Sequence, residues 1–218
     1  ENPVMSEREL TPVDRLLVEV DGMLRTLSRR GASAMRPSPA AGHSDSKLSD
    51  REQKHSAGLM RVNHTGEVCA QALYQGQALT AKTAGTRSEM QEAAQEEIDH
   101  LVWCEERLEE LGTRPSILNP LFYGASFAMG AVAGLVGDGV SLGFVHATEE
   151  RVASHLRSHL KTLPETDRKS QLILQTMLED EERHGENALK AGGLELPQPV
   201  KRAMTQASKL MTGSTYWI

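Results

Sequence analysis

Four glutamates stand where the helical pattern of this sequence calls for apolar side chains, and no other feature limits the fold as much. Over a helix expected to begin after Gly137-Asp138-Gly139 and to end near Leu163-Pro164, Leu142, Val145, Val152, Leu156, Leu160 and Leu163 recur on one face, and Glu149 lies in the middle of it. From about Thr166 to Ala191, an inward stripe of Leu174, Met177, Leu178 and Ala188 contains Glu181 and His184. In the helix ending at Leu111, the stripe Met90, Ala94, Leu101, Cys104, Leu108 is interrupted by Glu97 and His100. One helix earlier, Met60, Ala70 and Tyr74 share the side of Glu67. A buried carboxylate without a partner is expensive, and four together repel one another. Something cationic has to sit among them.

The spacing narrows the choice of cation. Glu97-Ile98-Asp99-His100 and Glu181-Glu182-Arg183-His184 are both Glu-x-x-His, whose first and last members share a helix face. Glu67 precedes Glu97 by 30 residues and Glu149 precedes Glu181 by 32, so two helical hairpins repeat one layout and can face each other about a pseudo-twofold axis. Four carboxylates and two imidazoles are the donor set of a di-iron or di-manganese centre in a four-helix bundle. Four negative charges also balance two divalent ions. A zinc site more often uses cysteine and fewer carboxylates. One Glu-x-x-His arises by chance on acid-rich solvated faces; two at matching positions on apolar faces are far more specific.

The rest of the chain is organised around those helices. Residues 1–30 contain an amphipathic helix at 12–28, and 31–48 reads as a flexible linker of small residues and prolines without periodicity. The third unit, 49–218, carries the metal ligands. Ser49-Asp50-Arg51-Glu52 is a capping box opening a helix that runs to about Ala84, before Gly85. Thr86 or Ser88 caps the next, which stops at Gly112; Gly192-Gly193 ends the fourth, and a shorter helix follows Pro197 and Pro199. The expectation is an all-α, four-helix bundle with a long apolar crossover and additional N- and C-terminal helices.

From Pro115 to Thr148 the crossover has one formally charged residue, Asp138. Its uninterrupted apolar piece, 121–136, falls short of the roughly 20 residues that span a bilayer. It reads either as a tightly packed core helix or as an interfacial helix resting in one leaflet. A formal charge of −6, with 24 basic and 30 acidic residues, argues against nucleic acid as a partner. Two cysteines are too few for a disulfide framework, and the acidic first 21 residues resemble neither a secretory signal nor a basic transit peptide.

Several of these stretches resemble a known family. Arg61-Val62-Asn63-His64-Thr65-Gly66-Glu67, continued by Ala72-Leu73-Tyr74-Gln75-Gly76-Gln77, is similar to the first-ligand motif of the demethoxyubiquinone hydroxylases, the di-iron monooxygenases of ubiquinone biosynthesis. Glu96-Glu97-Ile98-Asp99-His100, Ala147-Thr148-Glu149-Glu150 and Asp180-Glu181-Glu182-Arg183-His184 resemble the other three, and the glycine-rich stretch after Asn119-Pro120 is similar as well. The match covers about 49–218, and the helix at 12–28 suits bacterial members.

The resemblance implies a ferritin-like bundle with Glu67, Glu97 and His100 on one side of the centre, Glu149, Glu181 and His184 on the other, and bridging shared between them. It favours Glu149 over Glu150 through a pattern of glutamate followed six residues later by His155. It implies two iron ions cycling between Fe2+ and Fe3+, O2 as co-substrate and electrons from NADH or through the quinol itself. No Gly-x-Gly-x-x-Gly unit stands ready to bind a dinucleotide. The implied reaction adds one oxygen atom to the ring of a polyprenylated demethoxyubiquinol. The implied place is peripheral, on one leaflet at the cytoplasmic face of the bacterial inner membrane, with other ubiquinone-biosynthesis proteins or a second copy as partners. Residues 121–136, with 12–28 and 200–211, are the candidate membrane surface.

No catalytic residue is expected beyond the ligands. His155 is a group behind the ligands or facing the substrate, or else an exposed histidine. His64 reads as a group behind the ligands and His146 as packing. Tyr74 either bonds the ligand shell or packs, Asp180 either orients a histidine or is solvated, and Cys69 and Cys104 read as small core residues. The competing class is a ferroxidase or iron-storage bundle, or a di-metal peroxidase, on the same ligands. Storage needs a soluble cage-forming surface, which 115–148 would spoil, and no Cys-x-x-Cys pair exists for a rubredoxin module.

Overall fold

In a computed structural model, residues 12–28, 31–44 and 47–218 are described; residues 1–11 and 29–30 of the expected N-terminal unit, and 45–46 of the linker, lie outside them. The elements are α1 (Pro12–Leu27), α2 (Asp50–Thr80), α3 (Ala84–Glu110), α4 (Asn119–Val136), α5 (Asp138–Thr162), α6 (Arg168–Lys190) and α7 (Gln198–Thr215), with no strand among the described residues. The fold is the all-α, ferritin-like bundle. Hairpins α2–α3 and α5–α6 supply its four long helices, α4 is the crossover packed along α2, and α7 lies against α2 and α5. Met23 and Leu27 of α1 pack on Val68, Ala72, Leu101 and Tyr123.

Local chemistry sets most of the boundaries. Ser49 caps α2 as a complete capping box: its hydroxyl accepts from the Glu52 N–H, and the Glu52 carboxylate accepts from the Ser49 N–H at 2.8 Å. Helices α3 and α6 both end in glycine with positive φ, Gly112 at 72° and Gly192 at 105°. The Thr113 N–H returns to the Leu108 carbonyl and the Gly193 N–H to that of Ala188, the paired closure of a Schellman motif.

The α2–α3 turn differs from the expectation. Helix α2 stops at Thr80, Ala81 is extended, and Thr83, rather than Thr86 or Ser88, caps α3. Gly85 lies inside the first turn of α3. Asp138, at the start of α5, fixes this turn by accepting from the Lys82 and Thr83 N–H groups at 2.9 and 3.0 Å.

Helix α4 combines features of both expected readings. Its buried residues are Asn119, Tyr123, Ser126, Gly130, Ala133 and Gly134, mostly small. A Cβ at Gly76 or Gly130 would collide with the backbone of the facing helix, so α2 and α4 touch main chain to main chain. The large residues Leu121, Val132, Leu135 and Val136 point outward, each at least 60% exposed.

Two of the core's apolar clusters flank the glutamates. One gathers Met60, Cys104, Leu108, Leu156, Leu174 and Met177. The other gathers Tyr74, Met90, Leu142, Val145 and Ala188. Each of the four glutamates lies seven residues from a buried side chain in both directions: Met60 and Tyr74 around Glu67, Met90 and Cys104 around Glu97, Leu142 and Leu156 around Glu149, Leu174 and Ala188 around Glu181. Two helical turns bring the same face round again to within about 20°. The acids therefore occupy one layer between two apolar ones.

Candidate metal centre

Glu67, Glu97, Glu149, Glu181, His100 and His184 are all buried and converge on that layer. Donor atoms of Glu67, Glu97, His100 and Glu181 lie within 4.8 Å of one another. His100 Nδ1 is 3.0 Å from Glu97 Oε2, 3.3 Å from Glu181 Oε1 and 3.7 Å from Glu67 Oε2. On the opposite side, His184 Nδ1 is 3.0 Å from Glu97 Oε1 and 3.7 Å from Glu181 Oε2. Glu97 and Glu181 therefore stand between the two imidazoles, one oxygen toward each. Glu67 belongs to the His100 side. Glu149 accepts a very short hydrogen bond from the Tyr74 hydroxyl, and Glu150, its neighbour, points outward.

Both histidines turn Nδ1 inward because Nε2 is engaged outside. His100 Nε2 donates to Asp180 Oδ2 at 2.9 Å, and His184 Nε2 donates to Glu96 Oε2 at 2.6 Å. Each outer acid immediately precedes the inner glutamate of the other helix. Arg183 joins the two, with Nη2 on Glu96 (3.0 Å) and Nη1 on Asp180 (2.8 Å). A carboxylate behind a histidine fixes its tautomer and ring orientation, the usual support of a metal-binding imidazole.

The electrostatics follow from crowding acids in a dry layer. Burial pushes the Glu67 and Glu149 carboxyls well above the carboxylate range, and the charges of Glu97 and Glu181 push them further. Burial also opposes charge on Glu97, yet the imidazoles of His100 and His184 outweigh it and hold that carboxyl well below the range. Burial alone would lower both histidines. The acids, Glu97 foremost for His100 and Glu181 then Glu97 for His184, instead raise His100 far above its ordinary value and His184 to about 12. Among protein atoms alone, protonated imidazoles and protonated glutamates offset the negative charge.

A metal ion fits what remains. Glu97 Oε1, Glu149 Oε2, Glu181 Oε2 and His184 Nδ1 are buried polar atoms without a hydrogen-bond partner; the 3.0 Å approach of His184 Nδ1 to Glu97 Oε1 lacks hydrogen-bonding geometry. These four unsatisfied atoms come from the His184 side, and the tight group around His100 makes up the other side. Buried polar atoms are nearly always partnered in folded proteins, so a concentration of orphans calls for a ligand. Mixed oxygen and imidazole donors suit iron or manganese.

The remaining candidates fall outside this shell. His64 is buried against Asn119, with Nδ1 3.3 Å from the amide nitrogen, and burial lowers it to about 4. His146 packs on the Gly185 carbonyl at 3.0 Å. Cys104 is buried beside Met177, whereas Cys69 lines a cavity. Sequence reasoning overlooked Glu96, although it precedes Glu97 as Asp180 precedes Glu181. It also overlooked Arg36, which contacts Asp99 and Asp180 from a segment with no periodicity at all.

Two cavities reach the centre. One, about 320 Å³, is apolar and walled by α2, α4, α5 and α7; Glu67, Phe122, Met129, Arg151, His155 and Met211 line it. His155, half-buried, contacts Ser208 of α7 at 3.4 Å on this wall. The second, about 410 Å³, opens on Tyr74, Met90, Glu96, Leu142 and His184. A larger depression of about 1240 Å³, around His55, Arg61 and Trp217, shares no residue with the centre.

Comparison with known proteins agrees with the geometry. The model of the family described as ubiquinone biosynthesis protein COQ7 matches residues 54–215. A curated relative from Ectopseudomonas mendocina, named 3-demethoxyubiquinol 3-hydroxylase, is 61% identical over 213 residues, covering 98% of this chain and 99% of its own length. Relatives of the same name from Pseudomonas aeruginosa (strain LESB58) and Azotobacter vinelandii are each 58% identical over the same span.

Proposed function

The chain belongs to the ubiquinone biosynthesis protein COQ7 family, and from that premise we propose that it hydroxylates the ring of a polyprenylated demethoxyubiquinol at a pair of iron ions, with O2 as co-substrate. Glu67 and His100 would hold one ion, Glu149 and His184 the other, with Glu97 and Glu181 shared between them. The observation that carries this reading is the set of four orphaned donor atoms facing the tight group around His100, in a layer that an apolar cavity reaches. Bound iron supplies the activation of O2. The balance is one oxygen atom into a ring C–H bond and one into water, with two protons and two electrons, the latter from NADH.

The chain's own residues prepare the site for that chemistry. Asp180 and Glu96 hold the imidazoles with Nδ1 inward. The Tyr74 hydroxyl fixes one Glu149 oxygen and leaves the other for a ligand. Apolar side chains above and below the acidic layer exclude water. The 320 Å³ cavity lies at the small end of the range for ligand pockets, room for a quinol ring, and offers Arg151 and His155 as polar contacts among apolar walls.

The membrane surface follows from the same walls. Phe122 and Met129 of α4 and Met204 and Met211 of α7 close the cavity. The outer faces of these two helices present Leu121, Val132, Leu135, Val136 and Leu210 to the outside. A patch of that kind marks an interaction surface, and a lipid leaflet suits both it and a polyprenyl tail. We place it on the cytoplasmic leaflet of the inner membrane, with 49–218 as the catalytic unit and residues before it as an accessory segment.

The test is anaerobic loading with Fe2+, followed by O2, NADH and a short-chain demethoxyubiquinol. The expected product carries one new ring oxygen derived from 18O2. Iron oxidation with no hydroxylated quinol, and growth of a ferric mineral, would support a ferroxidase instead.

A further inference from the structure

Arg36 lies before the bundle, in the irregular stretch between α1 and α2, yet it reaches the His100 side of the centre. Its Nε donates to Asp99 Oδ2 at 2.6 Å and its Nη2 to Asp180 Oδ2 at 2.8 Å. Asp180 Oδ2 is the same atom that accepts from His100 Nε2. The guanidinium sits 4.9 Å from the centroid of Trp103, and the Trp103 ring lies 5.4 Å from that of His100. The backbone is fastened too: the Met35 N–H donates to Asp99 Oδ1 at 2.6 Å, and Trp103 Nε1 donates to the Arg36 carbonyl at 3.3 Å.

We infer that Arg36 is a positioning residue for the metal centre, so that a segment outside the four-helix bundle completes the site. A planar guanidinium can span two carboxylates at fixed angles, which a lysine ammonium cannot. Here it holds Asp180 against His100 Nε2 and so aims Nδ1 at the ion. Arg36 also stacks on Trp103, which packs beside the same imidazole. On the His184 side, among the described residues, the outer acid Glu96 is backed by Arg183 alone, and about half of its side chain is exposed. The ion on the His100 side is therefore the more firmly held of the two.

This inference rests on the metal-centre reading, and the experiment separates the two. The purified full chain is titrated anaerobically with Co2+, following visible absorption and metal per chain, alongside thermal unfolding of the metal-free protein. Wild type should take up two ions. Arg36→Gln should bind one ion with wild-type affinity and the other about 10- to 100-fold more weakly, the usual range for a group behind a ligand. Arg36→Lys should recover part of the loss. If Arg36 acts through Asp180, Arg36→Gln combined with Asp180→Asn should bind no more weakly than Asp180→Asn alone. Two ions at wild-type affinity in Arg36→Gln, or additive losses in the double variant, would overturn the inference while leaving the centre intact. A wild type that binds no ion would overturn both.

Discussion

The two sides of the centre are built from nearly the same parts but differ in their surroundings. On the His100 side the imidazole is fully buried, its outer acid Asp180 is buried, and Arg36, Arg183 and Trp103 crowd behind it. On the His184 side the outer acid Glu96 is 48% exposed and a cavity opens beside it. A repeated donor set thus yields one side whose outer acid is enclosed and one whose outer acid stands open to solvent. The inequality comes from what lies outside the repeat, namely the segment before α2 and the open end between α3 and α6.

The contrast can be broken most completely at the shared donors. Glu181→Ala should release both ions and abolish hydroxylation, a loss in affinity beyond the roughly 100-fold ceiling of an outer-shell change; metal analysis per chain and product assay check it, and one retained ion would make Glu181 a ligand of one side only. Next come the outer acids. Asp180→Asn should weaken one ion by about 100-fold, whereas Glu96→Gln, whose place water can take, should weaken the other by about 10-fold. Equal losses in a Co2+ titration would remove the asymmetry.

Acidity provides a third and milder probe. His100 and His184 are raised above an ordinary value of 6.5, so the stability they give the metal-free fold is complete below pH 6.5 and declines as pH rises toward their folded values. Glu67 and Glu149, raised above 4.5, lose stability in the same direction, whereas Glu97 and Asp180 are lowered and lose it as pH falls below 4.5 and 3.8. The metal-free protein should therefore melt highest near about pH 4.5, decline from there, and fall further above about pH 6.5 as the histidines join. The loaded protein, whose ions displace those protons, should not show that decline. Identical Tm profiles would contradict this charge balance. The smallest effect is expected from Tyr74→Phe, which removes the donor to Glu149: about 1–2 kcal/mol in the metal-free fold, with two ions still bound. Loss of an ion in that variant would mean that the hydroxyl does more than orient Glu149.

The acidic layer was legible in the sequence because each glutamate falls two turns from apolar residues on both sides, a spacing that survives without any knowledge of the neighbours. The helix ends at Gly112 and Gly192 were legible for a similar reason, since positive φ favours glycine. The α2–α3 turn was not: the pattern offered Thr86 or Ser88 as caps, and the use of Thr83 depends on Asp138, more than fifty residues away. Arg36 left no trace at all. An arginine in a stretch without periodicity looks like any solvated cation, and only the packed chain brings it to Asp99 and Asp180. His155 stayed between two readings because its meaning depends on α7, which brings Ser208 to the same wall.

Helix α4 turns the usual arrangement of a water-soluble helix inside out: glycine, alanine and serine face the protein while leucine and valine face away. Dissolved in plain buffer, such a surface will seek cover, from detergent or from another copy of itself. The apparent mass of the purified chain should therefore depend on the amphiphile present, and charged replacements at Val132 and Leu135 should make the protein better behaved in a test tube while depriving it of its greasy substrate.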